Sequence, residues 1–162
     1  MGKIRQLDNS QIEEVMDIWL KTNITAHSFI PEQYWMENYN VVKNRYIPHS
    51  DTFVYEEKNI VKAFISIINN SFIGALFVLN DWQGQGIGRQ LLNYCKSLYP
   101  CLELCVYKEN RSAVEFYKHC GFIIKKEQPN EDSGYIEYLM EWSKKVKWKK
   151  YLYRLIGYHT NY

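Results

Sequence analysis

The sequence predicts a single α+β domain spanning residues 1–142. Within residues 52–79, three apolar, strand-like segments follow one another between short polar turns, as in an antiparallel meander. Segments with helical spacing of apolar residues precede and follow these strands. The 162 residues contain no internal repeat and no low-complexity linker that would divide the chain. Helices and mainly antiparallel strands are therefore expected to share one core.

The first half of the chain predicts one strand, two helices and the meander. "KIRQL" forms the short strand, and a polar residue within 8–10 can cap a helix whose apolar positions run from Ile12 to Leu20. Pro31 suits the first turn of a second helix, which is expected to run toward Tyr46. The meander then consists of "TFVYEE", "IVKAFISII" and "FIGALFVL".

The second half begins with a glycine loop, "DWQGQGIGRQLL", which opens a helix that Pro100 stops. "CLELCV" predicts a strand, and "NRSAVEFYKHC" predicts a helix that begins near Asn110 and ends at Gly121. "FIIKKE" and "YIEYLMEW" then predict a final hairpin.

Charge is divided unevenly along the chain. Residues 143–162 hold six of the 20 basic residues and none of the 18 acidic ones, which leaves residues 1–142 with 14 against 18 and a net charge of about −4. A mildly acidic body argues against nucleic acid as the partner. The basic, aromatic appendage of residues 143–162 is compatible with contact to a partner or an anionic membrane surface, but docking on the domain or fraying is favoured.

Cysteine usage predicts a reduced, cytoplasmic setting. The four cysteines form no C-x-x-C pair and accompany no signal-like N-terminus, so each is expected to be a buried structural residue. The longest apolar run is shorter than the roughly 18 residues of a membrane span. A chain of this length needs neither a metal nor a disulfide to fold, and no metal site is expected.

A glycine-rich turn that opens a helix is suited to binding an anion, because outward N–H groups and the helix dipole favour negative charge. A P-loop would need Lys and then Ser or Thr after its last glycine, but Arg89 and Gln90 follow Gly88. A dinucleotide fingerprint would need a third glycine at position 89. What remains is the pattern Q-x-x-G-x-G at residues 83–88.

This pattern resembles the pyrophosphate-binding segment of the GNAT N-acetyltransferases. A second block, "NRSAVEFYKHCGF" at residues 110–122, is similar to that family's N-x-x-A-x-x-F/L-Y-x-x-x-G-F signature, and both blocks occur in the family order. The resemblance covers roughly residues 3–142 and looks strongest for small bacterial enzymes that acetylate protein amines. It implies a mixed, mostly antiparallel central sheet flanked by helices, acetyl-CoA as donor, and direct attack of an amine on the thioester.

The resemblance also implies roles for individual residues. Backbone amides of residues 84–89 would bind the pyrophosphate, and the edge of the strand at Leu76–Val78 would pair with the pantetheine arm. Tyr117 is expected to protonate the departing CoA thiolate, although its spacing alone favours a core tyrosine. Asn110 is expected to cap its helix and to contact the cofactor. The cofactor-binding set is Leu76, Phe77, Val78, Gln83, Gly84, Gln85, Gly86, Ile87, Gly88, Arg89 and Asn110.

The general base stays open at this point. Relatives that acetylate protein amines often carry glutamate where this sequence has Cys105, and Glu103 lies two residues earlier on the same strand face. Three alternatives remain: Glu103 acting through water, His27, or a neutral amine captured from solution. His27 also has a simpler interpretation, as a surface or helix-capping residue.

The acceptor pocket is expected to include Phe72, Phe29 and Glu103, and by analogy Tyr34 and Trp35, since aromatic walls suit an alkyl amine and its charge. The function predicted is acetylation of a protein lysine side chain or N-terminus. Two alternatives are a small-molecule acceptor, such as a polyamine or an aminoglycoside, and a non-catalytic acyl-CoA-binding module. The sequence predicts neither the acceptor's identity nor the oligomeric state.

Overall fold

The computed structural model describes residues 2–144. This part of the chain contains seven strands and four α-helices. In chain order these are β1 (Lys3–Gln6), α1 (Ile12–Ala26), α2 (Glu32–Val41), β2 (Asp51–Glu57), β3 (Ile60–Ile68), β4 (Phe72–Val78), α3 (Ile87–Leu98), β5 (Cys101–Tyr107), α4 (Arg111–His119), β6 (Ile123–Pro129) and β7 (Ile136–Ser143). The predicted α+β class is confirmed. Of the basic appendage, only Ser143 and Lys144 lie within the described residues.

All seven strands form one sheet in the order β1-β2-β3-β4-β5-β7-β6. Every neighbouring pair is antiparallel except β4 and β5, which are parallel. The predicted meander is β2 to β4. Its turns place Lys58 and Asn59, and then Asn69 and Asn70, at positive φ, as in tight hairpins; the first loop has two residues and the second has three, residues 69–71.

The two parallel strands separate soon after they meet. The pairing of β4 with β5 is confined to Phe72 and Glu103, and the Glu103 amide donates to the Ser71 carbonyl at 2.8 Å. Beyond this point, β4 is paired within the described chain only on its β3 side, and β5 only on its β7 side. A cleft therefore opens between the carboxyl-terminal halves of β4 and β5.

Helices cover both faces of the sheet. Phe64 joins α1 and α2 in one buried cluster, whereas its neighbour Ile65 joins α3 and α4 in the other. Successive residues of a strand point to opposite faces, so β3 contributes to both cores. Because both faces of β3 are buried, "IVKAFISII" is a nearly continuous apolar run.

Several helix ends follow the sequence signals. Asp8 Oδ1 accepts from the Ser10 amide at 2.9 Å and caps the short turn before α1. Gly121 follows α4 with φ of 87°. The second helix differs from the prediction: α2 ends at Val41, and a wider π-type turn carries the chain through residues 42–46.

The expectation that each cysteine is buried is confirmed for Cys95 and wrong for Cys101, and it holds only in part for the other two. Cys95 is buried in α3, Cys105 and Cys120 are half-buried, and Cys101 is exposed at the start of β5. Cys101 directly follows Pro100, where the strand emerges from the preceding turn.

Among residues 2–144, the helices are all too short or too polar to span a bilayer.

Candidate active site

The glycine loop presents unpaired backbone amides at the start of α3. Gly84 and Gly86 have φ of 74° and 79°, a backbone conformation that residues with a Cβ rarely adopt. A Cβ added at either position would meet no atom within 4 Å, so the space above the loop is open. The first bond of the helix runs from the Gln90 amide to the Gly86 carbonyl at 3.0 Å. The amides of residues 87–89 thus have no helical acceptor and remain available to an anion.

Two glutamines hold the loop in place. Gln83 Nε2 donates to the Val78 carbonyl at 2.9 Å and to Asn80 Oδ1 at 3.2 Å. Gln85 Nε2 donates to the Asp81 carbonyl at 3.2 Å. These bonds tie the loop to the end of β4 and to the short turn Asn80–Trp82 that follows it, so both side chains position the backbone amides.

A cavity of about 460 Å³ lies beside this loop, and we call it the loop cavity. Its walls are the loop, the end of β4, α4 and the carboxyl-terminal part of α1. All of the predicted cofactor-binding residues except Gln85 line it. Arg89 is the one charged side chain among its described lining residues, so the loop cavity favours an anionic ligand.

A second cavity, of about 500 Å³, meets the first, and we call it the aromatic cavity. Its described aromatic lining residues are Trp19, His27, Trp35, Tyr46, Phe72, Phe77, Tyr107 and Tyr117. Leu76, Phe77, Asn110, Ala113 and Tyr117 line both cavities. The two spaces therefore join between β4 and α4, where the cleft in the sheet opens.

Tyr117 lies at this junction and is 9% exposed. Its ring packs edge-on against Phe116 and Phe122, with centroids 5.2 and 5.6 Å away. Burial raises the pKa of Tyr117, so the hydroxyl stays protonated at neutral pH. A protonated hydroxyl at the meeting point of two cavities can donate a proton to a leaving group there.

Asn110 connects the start of α4 to the end of α1. Its Oδ1 accepts from the Ala113 amide at 3.3 Å and from Ser112 Oγ at 3.1 Å, which is the predicted cap. Its Nδ2 lies 3.2 Å from His27 Nε2. Since Oδ1 is committed to the cap, the amide donates to the imidazole, and Asn110 lines both cavities in a fixed orientation.

His27 is a buried residue at the carboxyl end of α1, so the surface interpretation is wrong. Burial lowers the pKa of His27 to about 4, and the Asn23 backbone offsets part of that shift. At neutral pH the ring is uncharged, and its Nε2 already accepts from Asn110. This arrangement suits a structural acceptor better than a base.

The three predicted acceptor-pocket residues lie in different places. Phe72 lines the aromatic cavity. Phe29 packs behind that wall, 5.7 Å from both His27 and Tyr107 between ring centroids, and does not line the cavity. Glu103 is exposed and outside the lining, because it sits where β4 and β5 are still paired and the cleft is closed.

Glu137 lines the aromatic cavity and was not predicted from the sequence. It is 7% exposed, and its two carboxylate oxygens accept from Gln128 Nε2 at 3.0 Å and Asn130 Nδ2 at 2.9 Å. The signal in the sequence is a pair of acidic residues, Glu137 and Glu141, within the otherwise apolar strand "YIEYLMEW". Among residues 2–144, no group of three or more His, Cys, Asp or Glu side chains could hold a metal ion.

Residues 24–144 match the family model described as the acetyltransferase (GNAT) domain. The chain belongs to the GNAT family. The resemblance inferred from the glycine loop and the second block is therefore confirmed, and this GNAT protein is an acetyltransferase whose donor is acetyl-CoA.

Relatives of this GNAT enzyme include two Escherichia coli proteins named peptidyl-lysine N-acetyltransferases. YiaC is 30% identical over 139 residues, which cover 86% of this chain and 95% of YiaC. YjaB is 28% identical over 131 residues, which cover 81% and 88% of the two chains. The match extends over nearly the whole length of both relatives.

Solved structures show the same GNAT fold. The solution structure of apo YjaB from Escherichia coli has a TM-score of 0.77 at 26% identity, covering 88% of this chain and 97% of that chain. The PaiA N-acetyltransferase from Thermoplasma acidophilum, in complex with coenzyme A, has a TM-score of 0.75 at 16% identity, covering 89% and 99%. The predicted mixed, mostly antiparallel sheet flanked by helices is confirmed.

Proposed function

We propose that this enzyme transfers the acetyl group of acetyl-CoA to the side-chain amine of a protein lysine. The observation that carries the proposal is the meeting of two cavities of opposite charge preference at Tyr117. Arg89 and the open amides lie at the loop cavity, and the buried carboxylate of Glu137 lines the aromatic cavity. The names of YiaC and YjaB support lysine as the acceptor class.

The loop cavity is the proposed donor side. Backbone amides of residues 84–89 would bind the pyrophosphate, since those of residues 87–89 lack helical acceptors and the space at Gly84 and Gly86 is open. The edge of β4 at Leu76–Val78 would pair with the amides of the pantetheine arm as an added strand. This edge is suitable because β5 has already diverged from β4 at Phe72.

The aromatic cavity is the proposed acceptor side. Its ring-lined walls suit the alkyl chain of lysine, and ring faces also attract an ammonium group. The amine nitrogen would attack the thioester carbonyl directly, forming the N–C bond as the C–S bond breaks. Tyr117 would give its hydroxyl proton to the CoA thiolate, a role that requires the hydroxyl to be protonated, as its raised pKa ensures at neutral pH.

The test is thiol release from acetyl-CoA with a matched panel of amines. The panel contains a lysine peptide with a blocked N-terminus, the same peptide with alanine for lysine, an unblocked lysine-free peptide, a polyamine and an aminoglycoside. We expect turnover with the lysine peptide and one acetyl group on its lysine by mass spectrometry. Turnover only with the unblocked peptide or only with a small amine would replace lysine as the acceptor, and tight CoA binding without any turnover would indicate a binding module.

A further inference from the structure

Glu137 is an unbalanced charge in the aromatic cavity. It is the one carboxylate among the described lining residues, which include no Lys or Arg. None of the ion pairs formed within residues 2–144 includes it. A buried carboxylate without a cationic partner is costly, so a cationic ligand is the partner this cavity lacks.

Amide donors hold this carboxylate in one orientation. Gln128 and Asn130 each donate to one of its oxygens. Asn130 is itself fixed, because its Oδ1 accepts from the Asp132 amide, the Ser133 amide and Ser133 Oγ at 3.1, 2.8 and 3.0 Å. A carboxylate has about four lone-pair sites, so these two amide donors and the Cys105 thiol still leave one free for a ligand.

Groups around Glu137 add no positive charge at neutral pH. Cys105 and Tyr107 on β5, and Tyr34 on α2, are near enough for its charge to act on them, and Asp132 lies in the loop before β7. Burial, followed by the charge of Glu137, raises the pKa of the Cys105 thiol to about 12. The pKa values of Tyr107 and Tyr34 are also raised, mainly by burial, so all three side chains are neutral.

We infer that Glu137 binds the acceptor ammonium and takes its proton before attack on acetyl-CoA. This inference rests on the proposed function. The freed amine lone pair forms the N–C bond, the C–S bond breaks, and the thiolate receives the proton of Tyr117. The new amide nitrogen loses a second proton, which restores Tyr117, and Glu137 releases the first proton to solvent.

The geometry favours Glu137 over the bases considered from the sequence. Glu103 is exposed and lies at the closed end of the cleft. His27 uses Nε2 to accept from Asn110. Glu137 is buried, lines the same cavity as Tyr117 and has free acceptor capacity. It can therefore fill the role of general base that a glutamate at the position of Cys105 has in relatives.

Glu137→Gln tests the inference because it removes the charge and keeps the shape. With the lysine peptide at about pH 7, kcat/KM should fall by roughly 10²- to 10⁴-fold, while CoA affinity stays unchanged. The deficit should shrink by up to about tenfold for each pH unit between roughly pH 7 and 9, because solution then supplies the neutral amine that the variant cannot make. A merely structural role would give a deficit that does not depend on pH.

Glu141→Gln is the matched control. Glu141 lies on the same face of β7, but it is half-buried and paired with Lys125 at 3.2 Å. The Glu141→Gln variant should therefore acetylate the peptide at the wild-type rate. An active wild type with an equally active Glu137→Gln variant would overturn the inference and leave the proposed function standing. Loss of activity in Glu103→Gln alone would assign the base to Glu103 instead.

A measurement on the wild type keeps the test decisive if the variant fails to fold. Two unreactive peptides compete with the lysine peptide, one carrying trimethyllysine and the other norleucine. The permanent cation should inhibit at least about tenfold more strongly, since opposite charges attract strongly in a poorly solvated cavity. Equal inhibition by the two peptides would contradict a carboxylate that binds the ammonium.

Discussion

Tyr117 serves the fold with its ring and is proposed to serve the reaction with its hydroxyl. The ring packs against Phe116 and Phe122 in the core, and the residue lines both cavities. From spacing alone, a core tyrosine and a catalytic one look alike, because the same helix face carries Val114 and Tyr117. Only the position of the cleft separates the two interpretations.

Replacing Tyr117 with phenylalanine should slow the chemical step with little effect on donor binding. The ring contacts remain, whereas the proton for the CoA thiolate is lost, so we expect kcat to fall by roughly 10²-fold or more. Single-turnover acetylation and calorimetric CoA titration measure the two effects separately. Tyr94→Phe, in a half-buried tyrosine that packs on Phe53, is the control; an unchanged rate in Tyr117→Phe would remove this residue from the mechanism.

His27 should make stability depend on pH below neutrality. Its pKa is about 4 in the folded state against 6.5 for an unperturbed histidine, so between these values the unfolded chain binds the extra proton. Stability therefore rises with pH in this window, and lowering the pH from 6.5 to 4 should cost up to about 3 kcal/mol. Above pH 6.5 both states are neutral and the contribution vanishes.

Urea denaturation at about pH 7 and pH 5 measures this effect. His27→Gln, which keeps an acceptor for Asn110, should lose roughly 2 kcal/mol of the difference between the two pH values. His119→Gln, in an exposed histidine of α4, should retain it. The same pH difference in wild type and His27→Gln would show that another group is responsible.

Glu137 marks the limit of what the sequence could predict about the site. The glycine loop and Tyr117 belong to contiguous patterns, in which spacing along the chain carries the information. Glu137 comes close to Cys105 only because β5 pairs with β7. Tyr107 lies directly opposite Glu137 and Cys105 lies opposite Leu139, so Glu137 and Cys105 are diagonal neighbours on one face of the sheet. Strand register depends on tertiary packing, so the sequence does not show which of the two glutamates in this strand, Glu137 or Glu141, lines a cavity.

Among the elements, the loop before α3 depends most on local chemistry. Positive φ at two glycines turns the chain so that amides of the first helical turn face outward. Elements with such local signals were predicted well, including both hairpin turns and the cap at Asn110. The end of α2 was not, since no glycine or proline marks the change to a wider turn at residues 42–46.

Gly86→Glu should abolish CoA binding while the fold survives. A Cβ added at Gly86 meets no atom within 4 Å, but the glutamate places bulk and negative charge among the amides proposed to bind the pyrophosphate. We expect at least about a 100-fold loss of affinity by calorimetry, and roughly 1 kcal/mol of destabilisation from the positive φ.

Gly134→Glu is the control for this backbone strain. Gly134 has φ of 74°, a Cβ there also meets nothing within 4 Å, and it lies in the loop before β7, outside the loop cavity. It should lose similar stability and keep its CoA affinity. Normal CoA binding by Gly86→Glu would show that the pyrophosphate lies elsewhere.

At the scale of the whole molecule, we propose that residues 1–142 form the catalytic domain without the appendage. Both core clusters of the described chain are built from residues up to Trp142, and the family match ends at residue 144. Deleting residues 145–162 should therefore shift the melting temperature by less than about 3 °C, which is close to 1 kcal/mol for a chain of this size, and leave CoA affinity unchanged. A drop of more than about 6 °C would show that the appendage docks on the domain.

The pairing of β4 with β5 has a consequence for how the enzyme holds together. Strands β1 to β4 and strands β5 to β7 are two antiparallel ribbons, joined side by side at one residue pair. We expect the amides of the donor to bridge the gap between them, so that the substrate itself serves as a temporary piece of the scaffold. In each catalytic cycle, binding of acetyl-CoA would then stabilise the folded protein, and release of CoA would remove that stabilisation.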